Sequence, residues 1–219
     1  MGRTRRLRPP DTPDLTKSTR DTLDLLDWRR RIAALYAEVR AAEDPEKAWW
    51  WWRRARDELF TNHPQSPLRE EARGGFDGAV YYEYDPRYRA VAEIEPAEAE
   101  RIQLPGSAGA TFGATRFARA NLSLGGEERA LGLYWLDGYA GGLFVSFRDD
   151  TSGEETYGAG RYLLDTVKGA DLGGEEAALV LDFNFAYNPS CSYDPRWACP
   201  LAPPDNRLAV AVKAGERYA

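Results

Sequence analysis

The first regular pattern along the chain is that of an amphipathic helix. From Thr22 onward, apolar residues recur at spacings of three and four, which places them on one face of an α-helix, and Asp21 precedes them as a candidate N-cap. The apolar positions on this face are Leu23, Leu26, Ile32, Leu35, Tyr36 and Val39. The spacing predicts a helix that ends near Ala42.

A second helix is predicted after a short break. Asp44-Pro45-Glu46 combines a candidate N-cap, a proline at the first helical position and an early carboxylate, which is typical of a helix start. The helix is expected to reach about Phe60. It contains Trp49–Trp52, and because successive residues lie about 100° apart around a helix, the four rings cannot all line one groove. We expect them mainly to wedge the helical pair, residues 21–62, onto the rest of the fold, with a ring surface for a ligand or partner as the alternative.

Beyond the helices the periodicity changes to two. Residues 63–77 are expected to form a connecting loop, since His63 and Ser66 each precede a proline and are kept out of the helical region. From Gly78, short alternating runs are separated by Gly, Pro, Asp or Asn, as in antiparallel sheets. The predicted strands cover residues 79–84, 88–95, 99–104, 111–124, 127–135, 143–148, 161–164, 177–185 and 207–213.

These elements define the predicted fold class and domain organisation. We predict an α+β protein in which two N-terminal helices pack on a mostly antiparallel β-barrel or β-sandwich. Residues 21–219 are expected to form one domain, whose β-rich part covers residues 78–219. Residues 1–20 carry an arginine cluster and prolines and are expected to form a disordered basic tail.

Composition and charge narrow the class of partner. The 219 residues carry a formal net charge of -6 with a pI near 5.1, which argues against nucleic acid, because that binding depends largely on Lys and Arg. No apolar run is long enough to span a membrane, and the N-terminal segment lacks the apolar stretch of a signal peptide. We therefore expect a soluble cytoplasmic protein that binds neither nucleic acid nor membrane.

Two cysteines and one histidine limit metal and thiol chemistry. Cys191, Cys199 and His63 lack the paired short spacings of a zinc site, so we predict no metal and no cofactor. A disulfide between the two cysteines would close a short loop and contribute roughly 2.5 kcal/mol in the chain-entropy model. In a reducing cytoplasm two buried thiols are the expected state, and a reactive Cys191 is the alternative.

Two polar segments, residues 148–163 and 182–208, carry the candidate chemistry. Strand alternation places Asp149 at the end of one apolar face, and Asp182 and Asn184 at the end of another face that begins apolar. A face that is apolar at depth and polar at its end suits the rim of a barrel, so these three residues are candidates to line a pocket. The alternative is that they cap turns where the strands end.

Arg161 is the candidate anchor for an anion. It follows Gly158-Ala159-Gly160, a backbone that permits close approach. Its planar guanidinium can pair with Asp149, Glu155 or Asp182 in a buried ion pair. With donors left free, it would instead hold an anionic ligand.

The linked motifs of the chain resemble one known family. They are His63-Pro64, Ser66-Pro67-Leu68, Phe147, Asp149, Thr151-Ser152-Gly153, Thr156-Tyr157-Gly158, Gly160-Arg161-Tyr162-Leu163, Asp182-Phe183-Asn184, Ala186-Tyr187-Asn188-Pro189, Cys191, Cys199-Pro200, Pro203-Pro204, Asn206-Arg207-Leu208 and Ala214-Gly215-Glu216. On these residues, from about Leu25 to Glu216, the chain resembles the bacterial and archaeal family catalogued as domain of unknown function 1684. The resemblance implies a single domain and marks these polar residues as family motif, but it implies no substrate.

Three functional hypotheses follow from these residues. In the first, a closed barrel pocket of about 300 Å³ or more binds a small molecule with a polar or anionic head group. The residues expected to fix that head group are Tyr157, Arg161, Asn184, Tyr187 and Asn188.

In the second hypothesis, the same pocket is the active site of a hydrolase or transferase. Its candidate catalytic residues are His63, Asp149, Glu155 and Asp182 as general bases and Cys191 as nucleophile. In the third, the Trp-rich helix binds a partner protein or forms a homodimer.

Overall fold

The fold is α+β with its helices first, as predicted. In the computed structural model, which describes residues 16–124, 126–139 and 141–218, the helices are α1 (Lys17–Ala41), α2 (Pro45–Asn62) and α3 (Glu70–Arg73). The predicted basic tail lies outside the described residues as far as residue 15. None of the described helices has both the length and the apolar character needed to cross a membrane.

The starts of α1 and α2 show how far capping and periodicity in the sequence predict a helix boundary. α2 begins at Pro45 as predicted, and the Asp44 carboxylate accepts a hydrogen bond of 3.1 Å from the Lys47 amide. α1 begins at Lys17, earlier than predicted, so residues 17–20 are helical and not part of a tail. The first turn of α1 is polar and exposed, so apolar periodicity does not reveal it. The short helix α3 lies within the predicted loop.

The four tryptophans divide as helical geometry requires. Trp49 and Trp52 are fully buried, whereas Trp50 and Trp51 are 47% and 40% exposed. The Trp49 indole N–H donates a hydrogen bond of 2.7 Å to the Asn184 carbonyl. This half of the run therefore holds α2 against the β-rich part of the fold.

Seven antiparallel strands form one sheet. The strands are β1 (Arg89–Pro105), β2 (Thr111–Leu124), β3 (Glu127–Leu136), β4 (Gly142–Phe147), β5 (Arg161–Asp165), β6 (Gly174–Glu175) and β7 (Ala178–Asp182). Their order in the sheet is β5-β4-β3-β2-β1-β7-β6. β1 joins two predicted strands, with a register shift between Pro96 and Glu100. In its other pairing, β1 places Arg89 opposite Asp182 of β7.

Three predicted strands are wrong in whole or in part. Residues 79–84 form one isolated bridge, between Tyr81 and Glu216, and residues 207–213 form only an isolated bridge, to Arg148. The predicted strand 177–185 ends at Asp182 because its carboxylate accepts the Asn184 amide and starts a 3-10 turn. Alternation shows only that one side of a segment is buried, and an extended segment that lies over the core shows the same alternation without a partner strand.

The sheet is open but strongly curled. Tyr162 of β5 forms an isolated antiparallel bridge with Tyr187, which lies beyond β7, with N···O distances of 2.9 and 3.1 Å. The interior is packed with fully buried side chains, among them Leu131, Phe147, Leu163 and Phe183. The barrel interior, where the sequence placed a ligand, is therefore occupied by the protein's own side chains.

Candidate functional site

Arg161 of β5 is directed at the protein and not at a cavity. Its Nη2 lies 3.4 Å from an Asp149 carboxylate oxygen. Its other acceptors are the backbone carbonyls of Val212, Ala214 and Glu216. Only Nε lacks an acceptor, and the guanidinium is 4.9 Å from the centre of the Phe147 ring, in a residue that is 1% exposed. Arg161 therefore fastens β5 to the segment 212–216, which is the ion-pair alternative of the two that the sequence left open.

The Asp149 carboxylate likewise binds other groups of the protein. Its carboxylate accepts hydrogen bonds from the Val212 amide at 2.7 Å, the Thr151 hydroxyl at 2.8 Å and the Ser152 hydroxyl at 3.1 Å, in addition to the contact with Arg161. The residue is 1% exposed. These contacts leave the carboxylate no free oxygen for a substrate, and they match the turn-capping alternative.

A second buried ion pair, which the sequence did not reveal, lies between α2 and the end of the described chain. The Arg56 guanidinium is 3.1 Å from Glu216, and the Glu216 carboxylate also accepts hydrogen bonds of 3.0 Å from the Asn188 amide and side chain and one from the Tyr193 hydroxyl. An arginine among the buried aromatic residues of α2 is the sequence signal that could have pointed to it. Asn188 is thus a structural partner of Glu216.

A small cavity adjoins this cluster. Its volume is about 60 Å³, and its lining includes Tyr36, Arg56, Tyr187, Asn188 and Tyr193. Burial raises the pKa of the Tyr187 hydroxyl well above its usual value, so that hydroxyl stays protonated. The space suits a few water molecules and is well below the size of a typical ligand pocket.

The side chains of His63 and Glu155 bind residues outside the candidate set. The His63 Nδ1 accepts the Gln65 amide at 3.0 Å, so Nε2 carries the proton and donates to Asp27 of α1 at 3.2 Å. Glu155 is partly exposed and accepts the Tyr82 hydroxyl at 3.0 Å, which is the main cause of its lowered pKa. Among the described residues, no contact joins either side chain to a candidate nucleophile.

Tyr157 and Cys191 form a pair of their own. The Tyr157 hydroxyl lies 3.7 Å from the Cys191 sulfur. Both cysteines are free thiols and buried. In the part of the chain that the structure describes, no group of three His, Cys, Asp or Glu side chains could hold a metal ion.

Among the candidate carboxylates, Asp182 is distinguished by a buried oxygen without a hydrogen-bond partner; the side-chain oxygen of the candidate Asn188 also lacks one. Oδ1 accepts the amide and side-chain N–H groups of Asn184, at 3.0 and 2.8 Å. Oδ2 accepts no hydrogen bond, and the nearest cation, the Arg89 Nε, is 3.8 Å away. Burial raises the pKa of the Asp182 carboxyl to about 6, against the lowering effect of the Asn184 hydrogen bonds. An unpartnered buried oxygen with this pKa is uncommon in a purely structural carboxylate.

Asn184 positions this carboxylate. Its side-chain N–H groups donate to Asp182 and to the Asp85 carbonyl, and its side-chain oxygen accepts the Asp85 amide. The residue is fully buried. Asn184 therefore holds the Asp182 carboxylate in place, and its predicted contact with a ligand stays a prediction.

Asp182 lines a groove between the helices and one edge of the sheet. The groove has a volume of about 940 Å³ and is bounded by the end of α1, the start of α2, and strands β1, β6 and β7. Its apolar lining consists of Val39, Val91, Ile94, Leu172, Val180 and Phe185, among others. Its charged lining consists of Arg40, Arg89, Glu93, Glu175, Glu176 and Asp182. The wall is polar and apolar in about equal parts, and a space of this size lies within the range of small-molecule sites.

Comparison with known proteins identifies the family but no activity. A family model described as "Protein of unknown function (DUF1684)" matches residues 74–217. The chain belongs to this family. The family resemblance read from the sequence motifs is thereby confirmed.

A solved structure and a negative result add to the family match. The DUF1684 chain is 37% identical to an uncharacterised protein of Haloarcula marismortui whose structure was solved by solution NMR. The match covers 80% of this chain and 95% of the other, with a TM-score of 0.57. No curated protein matches. Function therefore has to be argued from the geometry of the groove.

Proposed function

We propose that this DUF1684 protein binds a small molecule in the groove between α1 and strands β1 and β7, with Asp182 as its polar anchor. The observation that carries the proposal is the unpartnered Oδ2 of Asp182, a buried carboxylate oxygen in a residue that lines a groove of ligand size. Leaving such an oxygen without a partner costs about 1–3 kcal/mol, which a ligand donor would offset.

The lining defines the class of ligand. An amine, amide or hydroxyl head group would donate to Asp182, while Arg89, opposite it in the register of β1 and β7, supplies a nearby donor. The apolar body of the ligand would lie against Val91, Ile94 and Val180. The sequence predicted a polar or anionic head group in a barrel pocket, whereas this proposal takes a polar head group and the groove outside the barrel.

The test is mass spectrometry of small molecules released from the natively purified protein. Val91 is 62% exposed and lines the groove, so Val91→Trp should obstruct the groove without disturbing the core. Val80→Trp, at a 43% exposed valine outside the lining, is the matched control. We expect a compound with wild type and with the control variant, and none with Val91→Trp. Equal recovery from all three proteins would contradict the proposal.

An enzymatic role for the same groove is the second candidate. The observation that favours it is the pKa of Asp182, about 6, which suits a group that both accepts and donates a proton near neutral pH. Any activity found with a groove ligand would then fall as the pH drops through 6 if Asp182 acts as base, and Asp182→Asn would abolish it. The cytoplasmic location, the absence of nucleic-acid binding and the homodimer stay predictions.

A further inference from the structure

One wall of the groove is a row of paired side chains with a carboxylate at each end. In the register of β7 and β1, the pairs are Asp182 with Arg89, Val180 with Val91, and Ala178 with Glu93. Because alternate residues of a strand share a face, these pairs form one row, and all six residues line the groove. A rise of about 3.3 Å per residue separates the two ends of the row by about 13 Å along β7.

The Glu93 end of the row is acidic. Glu175 of β6 faces Ala178 from the other side, and Glu176 follows in the turn between β6 and β7. Within the described part of the chain, none of these three glutamate carboxylates forms a hydrogen bond or an ion pair. All three line the groove and are exposed, so this end presents carboxylates to a ligand without an internal cation to neutralise them.

The Asp182 end holds a single buried acceptor. Oδ2 has no hydrogen-bond partner in a residue that is 1% exposed, and the Arg89 Nε, at 3.8 Å, is too distant to donate to it. A positively charged donor forms a stronger hydrogen bond with a carboxylate than a neutral donor does. The groove lining as a whole carries four carboxylates and two guanidinium groups, a formal charge of -2, so its field favours a cation.

We propose that the groove binds a linear diamine, a molecule with a primary ammonium at each end of an alkyl chain. This inference rests on the proposed function, because it uses the same groove and names the class of ligand. One ammonium donates to Asp182, the alkyl chain lies over Val91 and Val180, and the second ammonium lies between Glu93 and Glu175. An extended alkyl chain spans roughly 1.25 Å per bond, so about eight methylenes place the two nitrogens about 11 Å apart, within reach of both ends of the row.

Calorimetric titration of the full chain at pH 8 with 1,8-diaminooctane and with octylamine tests the proposal. The two amines have the same chain length and differ only in the second ammonium. We expect the diamine to bind wild type about fivefold more tightly, as expected for an ammonium among exposed carboxylates. A groove that recognised one ammonium and an apolar chain would bind octylamine at least as tightly, because its free end is the more apolar.

Variants at each end of the row separate the two contacts. Replacing Glu93 and Glu175 together by Gln should abolish the fivefold preference and leave the affinity for octylamine unchanged. Glu128 and Glu154, both exposed and outside the groove lining, give the matched double control with Gln, which should keep the preference. Asp182→Asn should weaken both amines about tenfold, because the ammonium loses its charged acceptor. Urea unfolding establishes that each variant is folded.

The length of the diamine provides a test that needs no variant. 1,4-Diaminobutane is too short to reach both ends of the row, so it should bind no more tightly than butylamine.

Three results would overturn the proposal. In the first, octylamine binds wild type as tightly as 1,8-diaminooctane; an affinity for octylamine that depends on Asp182 would still support the proposed function. In the second, the preference for the diamine persists when Glu93 and Glu175 are replaced. In the third, neither amine binds, and the compound released from the native protein then decides the proposed function separately.

Discussion

Replacing Asp182 by Asn tests the buried carboxylate on which the proposed function depends. The substitution keeps an oxygen to accept the two Asn184 hydrogen bonds. It replaces the unpartnered Oδ2 by an amide nitrogen and removes the charge that burial disfavours. The variant is therefore expected to be more stable than wild type at neutral pH, provided that the groove is empty.

The magnitude follows from the change in pKa. Burial raises the pKa of Asp182 from 3.8 to about 6, and one pKa unit corresponds to about 1.4 kcal/mol, so the ionised carboxylate costs about 3 kcal/mol of folding stability. Below pH 3.8 both states are protonated and the cost vanishes. Between 3.8 and about 6 the folded protein holds a proton that the unfolded chain has lost, so stability falls as the pH rises.

Urea unfolding of wild type and Asp182→Asn at pH 4 and pH 7 measures this effect. The free energy of unfolding of the variant, relative to wild type, should increase by about 2 kcal/mol from pH 4 to pH 7, because part of the cost is already present at pH 4. The control is Asp150→Asn, an exposed carboxylate 3.2 Å from Arg207, for which a change below about 1 kcal/mol is expected. Parallel pH curves for wild type and Asp182→Asn would refute the reasoning, because they would mean that Oδ2 is already solvated or paired.

Three further predictions address the core and the Cys191 thiol. Trp49→Ala should lower the free energy of unfolding by about 3–5 kcal/mol in urea, while Trp50→Ala, at an exposed ring, should change it by less than about 1 kcal/mol. Arg161→Met should lower the free energy of unfolding by about 3 kcal/mol or more in the same assay, because it leaves the buried Asp149 carboxylate without its ion-pair partner. A double variant that also removes the Asp149 carboxylate should recover part of this loss. Tyr157→Phe should raise the pH midpoint for alkylation of Cys191 above about 6, since the thiolate loses one donor; an unchanged midpoint would mean that Tyr157 does not contribute.

Helix capping and strand alternation correctly predicted those elements that depend only on residues close together in the sequence. The start of α2 at Asp44-Pro45 follows from capping chemistry within one turn, and the strand 111–124 follows from alternation over a long run. Residues 207–213 alternate in the same way, but they lie over the core without belonging to a strand, which no local pattern distinguishes. Fold class therefore followed from the sequence more fully than strand pairing did.

The candidate site was predictable only in its residue types. The sequence marked Asp182 because it ends an apolar run, but Arg89 faces it through the pairing of β1 with β7, which is a long-range contact. Likewise, Asp149 and Arg161 were expected to meet, but only their surroundings show that backbone carbonyls use up the Nη donors of Arg161. Which polar residue is left without a partner depends on the whole packed structure.

The contacts of segment 212–216 bear on how the chain folds during synthesis. Arg161 donates to three of its carbonyls, and Arg56 pairs with the Glu216 carboxylate, so two buried guanidinium groups depend on residues that are translated after them. A nascent chain cannot bury either group without a large desolvation cost until residue 216 has left the ribosomal exit tunnel. The helices and the curled sheet are thus expected to complete their core together, after translation of this segment and not progressively from the N-terminus.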